Sequence, residues 1–358
     1  MNKLFKLIMA NKWYLFLLVI ITLVAAKAFN TYTQYQEFLV APLDIKQESI
    51  EYTVKPGVTM RHIASELAEL GLLEEPTFLV VRARMRKQAQ SIKVGEYAIA
   101  RGTFPDQLLD LFVKGKVKQY SLTLIEGWTF RDVMNAVNQH ENIHHTLIGK
   151  TPQQIMQAIG IEGESPEGQF FPETYRFPNN TSDVKFLKRA YRHMQRFLDN
   201  EWQTKMPGLP IKTPYEALIL ASIIEKETAL ASEYQQIAGV FTRRLQKRMR
   251  LQTDPTVIYG LGDAYTGNIK RKHLRQDNPY NTYTRAGLPP TPIAMPGAEA
   301  IKAALHPAAG NTLYFVSKGD GSHYFSKNLK EHNEAVIRYQ LKGNRTKAFS
   351  SRPKADRK

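Results

Sequence analysis

Apolar and polar positions divide the chain into one long hydrophobic run, a series of short amphipathic elements, and one helix-length stretch with no polar face. The run is Trp13–Ala26, WYLFLLVIITLVAA, fourteen uninterrupted apolar residues. A membrane span needs about 20 residues. The segment from Leu7 to Phe29 supplies that length once Lys12 and Lys27 reach their ammonium groups toward water. The expectation is a single uncleaved anchor at 13–29 with its core at 13–26. A cleavable leader is the rival reading, and Ala25-Ala26-Lys27-Ala28 is only a mediocre small-residue cleavage pattern. Lys3, Lys6 and Lys12 precede the run, which places residues 1–12 in the cytoplasm and the body outside.

A polar linker is expected over 30–50. Strand patterning begins at Glu51-Tyr52-Thr53-Val54, Pro56-Gly57 turns it, and Thr59 caps a helix that Gly71 ends. Pro76 opens a second helix to about Lys87, Val94–Ala100 reads as a strand, and Pro105–Val113 as a helix stopped by Gly115. The pattern then restarts: YTVKPGVTMRHIASEL from Tyr52 aligns with LTLIEGWTFRDVMNAV from Leu122, matching Gly57 to Gly127 and Thr59 to Thr129. Asp183–Trp202 reads as an amphipathic basic helix. Farther on, Thr312–Val316 and His323–Phe325 read as a hairpin, and Leu329–Leu341 as a last helix.

The stretch without a polar face is Ala217–Ile224. Thr213-Pro214-Tyr215-Glu216 reads as its capping-box start, and Glu225-Lys226-Glu227-Thr228 closes it. Burying an unpaired carboxylate raises its pKa, which suits a general acid at neutral pH. Glu227 follows Ile224, Ile223 and Leu220 by three, four and seven residues, so it shares their apolar stripe. Glu225 shares a smaller, more polar stripe with Leu218, Ala221 and Ser222. Glu227 is therefore the candidate acid. A plain helix end with solvated glutamates competes with that reading. Downstream, Ser232-Glu233-Tyr234-Gln235 looks like another capping box. Arg243, Arg244, Lys247, Arg248 and Arg250 look like a solvated cationic end.

With 358 residues there is length for two or three domains. There are no cysteines, which removes disulfides and thiolate metal sites. The net charge of +16 asks for an anionic partner, and the basic stretch 342–358 is expected to be a disordered tail. A body outside the cytoplasm argues against nucleic acid and for lipid or an acidic wall polymer. No metal-ligand spacing, phosphate-cradling loop or serine elbow is present, so neither a cofactor nor a metal is expected. Glu167–Tyr175 sets aromatics around carboxylates, as a sugar subsite or as plain core. The Gly/Asn/Pro-rich region Gly260–Gly297 is long enough for a functional loop, and its Tyr280-Asn281-Thr282-Tyr283 can hydrogen-bond sugar hydroxyls.

IIEKET, LQTDPTVIYG, NPYNTYTRAGLPPTPIAMPG, ALHPA and YFVSKGDGSHYFSKNLKEHN, in that order, resemble the YceG-like family of endolytic murein transglycosylases. The resemblance covers roughly Tyr52–Tyr339. It implies an α+β fold, with a LysM-like βααβ module at 51–119 and a larger mixed catalytic domain at 120–341 around the buried helix. It also implies that Glu227 is the catalytic residue. Glu225, Gln252, Asp254, Tyr280, Asn281 and Tyr283 are the candidates for substrate contacts or support of Glu227. The implied reaction cleaves the β-1,4 bond between N-acetylmuramic acid and N-acetylglucosamine within glycan strands, leaving a 1,6-anhydro ring and trimming or terminating nascent strands. Expected partners are peptidoglycan glycan strands, membrane lipid through the N-terminal helix, and peptidoglycan synthases. Expected placement is the cytoplasmic (inner) membrane, single-pass, with the body in the periplasm. Hydrolysis with Glu225 or Asp254 as a second carboxylate stays open, as does a non-catalytic glycan-binding scaffold.

Overall fold

Helix α1 (Asn2–Val40) carries the apolar run, and no part of that window is buried against the rest of the protein. Its length and composition suffice to cross a membrane. The computed structural model describes residues 2–341, with side chains from Trp13 onward. The tail expected over 342–358 lies outside the described residues. The linker expected from residue 30 is not a coil at its start, because α1 continues to Val40. Tyr35 and Phe38, one helical turn apart, both pack edge-on against Phe78 at 5.6 and 5.7 Å, which gives the polar stretch an apolar stripe.

The chain divides into two compact units, Met1–Tyr120 with Phe177–Asn179, and Ser121–Arg176 with Asn180–Lys358. In the first, β1 (Ser49–Val54), α2 (Met60–Glu69), α3 (Pro76–Met85), β2 (Gly95–Ala100) and α4 (Pro105–Lys114) follow in order. β1 and β2 pair antiparallel with Tyr52 opposite Tyr97. Alternate residues Tyr52, Val54, Tyr97 and Ile99 face a core of Ile63, Leu67, Leu79, Leu108 and Phe112. Arg82 grips Asp106 with two hydrogen bonds of 2.7 and 2.6 Å, tying α3 to α4.

The second unit contains α5 (Phe130–Gln139), which follows β3 (Gln119–Thr123). Next come β4 (Ile143–His144), α6 (Pro152–Ala158), β5 (Thr174–Pro178), β6 (Thr181–Ser182) and α7 (Asp183–Gln203). The aligned segments do take the same local form. Gly57 and Gly127 turn the chain at φ 79° and 78°, and the Thr59 and Thr129 hydroxyls accept the third backbone N–H of α2 and α5. Only glycine adopts such a φ without steric cost, which is why both turns carry it.

The core of this unit forms around α8 (Pro214–Glu227). It is surrounded by α7, α9 (Tyr234–Gln246), α10 (Asp254–Leu261) and α12 (Ala298–Leu305); α11 (Arg271–Arg275) lies between the last two in sequence. Every residue from Ala217 to Ile224 is buried. Truncating one such leucine to alanine costs about 2–5 kcal/mol. β7 (Tyr314–Ser317) and β8 (His323–Ser326) pair as an antiparallel hairpin, and α13 (Leu329–Tyr339) closes the described chain.

Three local expectations are corrected. Thr213 does cap α8, accepting Glu216 N–H at 3.1 Å, but the Glu216 carboxylate accepts the Lys212 N–H at 2.5 Å and does not complete a box. Ser232 caps nothing: a single 3-10 turn, Ala231–Glu233, precedes α9, which begins without a side-chain cap. The arginines at the end of α9 are not all solvated. Arg243 donates to Thr312 O and Ala308 O, and buried Arg244 donates to Leu313 O and Leu251 O at 2.6 and 2.7 Å. Backbone carbonyls that end no helix of their own attract the guanidinium forks, a pairing that helix-end charge rules do not anticipate.

Candidate active site

The acid stands where α8 stops. Glu227 is its last residue, and Thr228 leaves the helix in extended conformation. A carboxylate at a helix C-terminus faces the negative end of the macrodipole, so its neutral form is favoured there. Its surroundings act in the same direction. Burial raises the Glu227 pKa to about 7, and the negative charge of Asp254 adds to the rise. The Thr253 hydroxyl donates to the carboxyl and opposes the rise, as does the positive charge of Arg244, with His323 nearby acting in the same direction.

Thr253 is aimed by its neighbours. Its N–H bonds the Thr282 hydroxyl at 3.1 Å, and the Gln252 N–H bonds Thr282 O at 3.2 Å. The buried hydroxyls of Thr256 and Thr282 meet at 2.9 Å. Gln252 takes a positive φ of 51°, a turn that an L residue adopts only where contacts hold it. Asp254 then opens α10, exposed, and accepts the Tyr283 hydroxyl at 2.6 Å. Thr253, Asp254 and Tyr283 are thus grouped with Glu227, and the charge of Glu227 is felt at Tyr283.

Other candidates are placed elsewhere. Glu225 faces another side of the helix end, accepting Gly297 N–H at 2.9 Å and the Tyr234 hydroxyl at 3.1 Å. Burial raises its pKa too, partly offset by the Gly297 N–H. Tyr280 bonds Thr291 at 2.9 Å and packs edge-on to Tyr259 at 4.8 Å. Asn281 is buried, and its amide N–H groups donate to His273 O, Leu274 O and Gln276 O. Its carbonyl accepts Tyr283 N–H at 2.9 Å, so every polar atom of its side chain holds the loop. The cleft of about 310 Å³ beside α10 and α11 is lined by residues such as Val257, Gly260, Lys272 and Gln276, and Glu227 is not among them.

Four participants lay outside the sequence-derived candidates: Thr253, Thr282, Arg244 and His323. Thr253 and Thr282 sit inside motifs already singled out, which was the available signal. In the segment Glu167–Tyr175 the aromatic rings prove to be core, with Phe170 fully buried. Its chemical residue is Glu167, buried between Tyr259 OH and Phe130 N–H at 3.0 Å each. Burial raises Glu167 to about 7. Among the described residues no group of three or more His, Cys, Asp or Glu could hold a metal ion.

A carboxyl with proton affinity near neutrality, one hydroxyl donor and flanking charges of both signs is equipped for general acid–base chemistry on an α+β scaffold. The chain belongs to the YceG-like family, whose model matches residues 52–338. It is 28% identical to an endolytic murein transglycosylase of Bacillus subtilis, over 85% of this chain and 89% of that one. It is 24% identical to one from Streptococcus pneumoniae, covering 90% of this chain but only 65% of the relative's length. Among solved structures, a YceG-like protein from Listeria monocytogenes superimposes with a TM-score of 0.51 at 26% identity, over 80% of this chain and 98% of that one.

Proposed function

We propose that this chain is a membrane-anchored endolytic lytic transglycosylase of peptidoglycan, with Glu227 as its acid and its base. The observation that carries the reading is the Glu227 carboxyl, raised to about 7 at the end of the buried helix, in a family whose named relatives are murein transglycosylases. Glu227 protonates the glycosidic oxygen as the bond to C1 of N-acetylmuramic acid breaks, and N-acetylglucosamine leaves with its hydroxyl restored. The 6-hydroxyl of the same muramic acid then bonds to C1 and returns its proton to Glu227. One carboxyl serves both steps because the nucleophile belongs to the substrate, whereas a glycosidase ordinarily uses two. Thr253 orients Glu227, and Asp254 with Tyr283 borders the place where sugar would lie. Gln252, exposed beside them, is a further substrate contact.

The strand–helix–helix–strand module of the first unit, LysM-like in element order, would hold glycan. α1 would fix the protein in the cytoplasmic membrane with the body in the periplasm, where peptidoglycan synthases are accessible partners. Full-length protein in detergent, incubated with purified peptidoglycan, tests the reading by mass spectrometry of the glycan ends. Ends lighter by one water from wild type and none from Glu227→Gln are expected. Ordinary reducing ends would make it a hydrolase and turn attention to Asp254. Glycan binding that Glu227→Gln leaves intact, without any product from wild type, would make it a scaffold.

A further inference from the structure

The first unit carries opposite charge at its two ends. Arg82 bonds Asp106, while Arg86 reaches both Asp106 and Asp110, so α3 and α4 advance together and finish at one end. The chain leaving α3 returns to that end, where the Lys93 N–H donates to Phe112 O at 3.1 Å. Arg84, Lys87, Lys93, Lys114 and Lys116 are exposed there, around the exposed apolar side chains of Met85 and Val94. Lys114 pairs with Asp110, but among the described residues Arg84, Lys87 and Lys116 have no carboxylate partner. Cations in the last turn of a helix are ordinary. Lys87, Lys93 and Lys116 lie beyond the helices, so the helix ends do not account for them. The starts of α3 and α4 are the acidic end. Glu37, Asp44, Glu74 and Glu75 line a groove of about 490 Å³ there, and no lysine or arginine shares its wall.

The register of α1 orients this asymmetry. Tyr35, nearer the apolar run, meets Met85 Sδ at 3.6 Å, close to the end of α3. Phe38 and residues 41–44, farther along, meet Phe78 and the groove at the helix starts. At a rise of about 1.5 Å per residue, Tyr35 stands about 9 Å beyond Phe29 along the helix axis. Helical side chains tilt toward the N-terminus, so the Tyr35 hydroxyl reaches back toward the apolar run. A headgroup layer is about 5–8 Å deep on each face of a bilayer. Met85 and the cations around it therefore stand at headgroup level, and long Lys and Arg stems close the remaining distance.

We propose that this basic end rests on the periplasmic leaflet of the membrane that α1 spans. Arg84, Lys87 and Lys116 contact the phosphates of anionic phospholipids, while Met85 and Val94 enter the interfacial layer. The proposal rests on the reading of α1 as a membrane anchor. The acidic groove is repelled from the same surface, so the two charges turn the module one way about α1. A single helix would leave the module free to swing; the second contact fixes its height and its facing.

The chain has no cysteine, so one introduced thiol can be labelled without background. Gln90→Cys carries a fluorophore in the exposed loop between Lys87 and Lys93, and Glu74→Cys carries one at the acidic groove. Each full-length variant is reconstituted into vesicles of phosphatidylcholine, alone or mixed with phosphatidylglycerol, with a spin label on the lipid headgroup as quencher. In the mixed vesicles, quenching at position 90 should be about threefold that at position 74. High salt should bring it down toward the value at 74. Arg84→Glu, Lys87→Glu and Lys116→Glu together should do the same, with a melt like that of wild type because these side chains are exposed. Lys87→Gln with Lys116→Gln should give an intermediate value even if the triple reversal folds poorly. Equal quenching at the two positions, or quenching at 90 that ignores phosphatidylglycerol, would overturn the proposal. So would shielding of the label by peptidoglycan fragments in place of lipid, which would assign the cations to glycan. Protein that washes off the vesicles in alkaline carbonate would show that α1 is no anchor, and the membrane reading would fall together with this proposal.

Discussion

The Thr253 hydroxyl donates to the Glu227 carboxyl, joining the end of α8 to the residue just before α10 across 26 positions of sequence. That bond favours the ionised acid, while burial favours the neutral one. Thr253→Val keeps the shape and removes the donor. The pKa of Glu227 should then rise further above about 7. The high-pH limb of anhydro-product formation should move up by about half a unit to one unit, and kcat should fall about tenfold. A pH–rate profile beside wild type checks this. An unmoved limb would mean that the hydroxyl does not bear on the acid.

Glu167 leads to a prediction about stability. Its folded-state pKa is raised from 4.5 to about 7 by burial, so the folded protein keeps a proton that the unfolded chain has lost between those values. Stability from this group is fully present below pH 4.5 and is lost as pH rises through about 7. The difference corresponds to about 3 kcal/mol. Glu227 titrates in the same direction and adds to the slope. Thermal melts between pH 4.5 and 8 should fall with pH in wild type and fall less steeply in Glu167→Gln. Equal slopes would show that Glu167 is ionised in the folded state.

What could be read from the sequence follows from the range of the interactions involved. Thr59, Thr129 and Thr213 cap their helices within three residues, and Gly57 and Gly127 turn the chain on their own, so local rules find them. Ala217–Ile224 shows its burial in composition alone. Arg244 could not be read this way. Its partners, Leu251 O and Leu313 O, come from distant segments, and in sequence it looks like any cation at a helix end. His323 likewise meets Glu233 across 90 residues. Asn281 shows the opposite ambiguity, because an asparagine that ties a loop and one that binds a sugar have the same local signature. The polar continuation of α1 was missed for a related reason. Tyr35 and Phe38 form a stripe only once Phe78 is there to meet them.

Gly239 sets helix propensity against packing. It lies inside α9, where alanine in place of glycine ordinarily stabilises by about 1 kcal/mol. Here a Cβ would stand 2.5 Å from the carbonyl oxygen of Ala308 and 2.9 Å from Arg243 Nη1. The Arg243 tip can swing away, but it already bonds that same carbonyl at 2.9 Å, and the carbonyl belongs to backbone held by the Ala308 N–H to Gln235 O bond. The segment after α12 must therefore shift off α9, at a typical overpacking cost of about 1–3 kcal/mol. Gly239→Ala should accordingly lower the melting temperature in spite of its better helix propensity. Because the strain enters through Ala308 and not through α8, the pH of the high-pH limb should stay at the wild-type value. A melt equal to or above that of wild type would show that the approach of Ala308 to α9 is looser than these distances require.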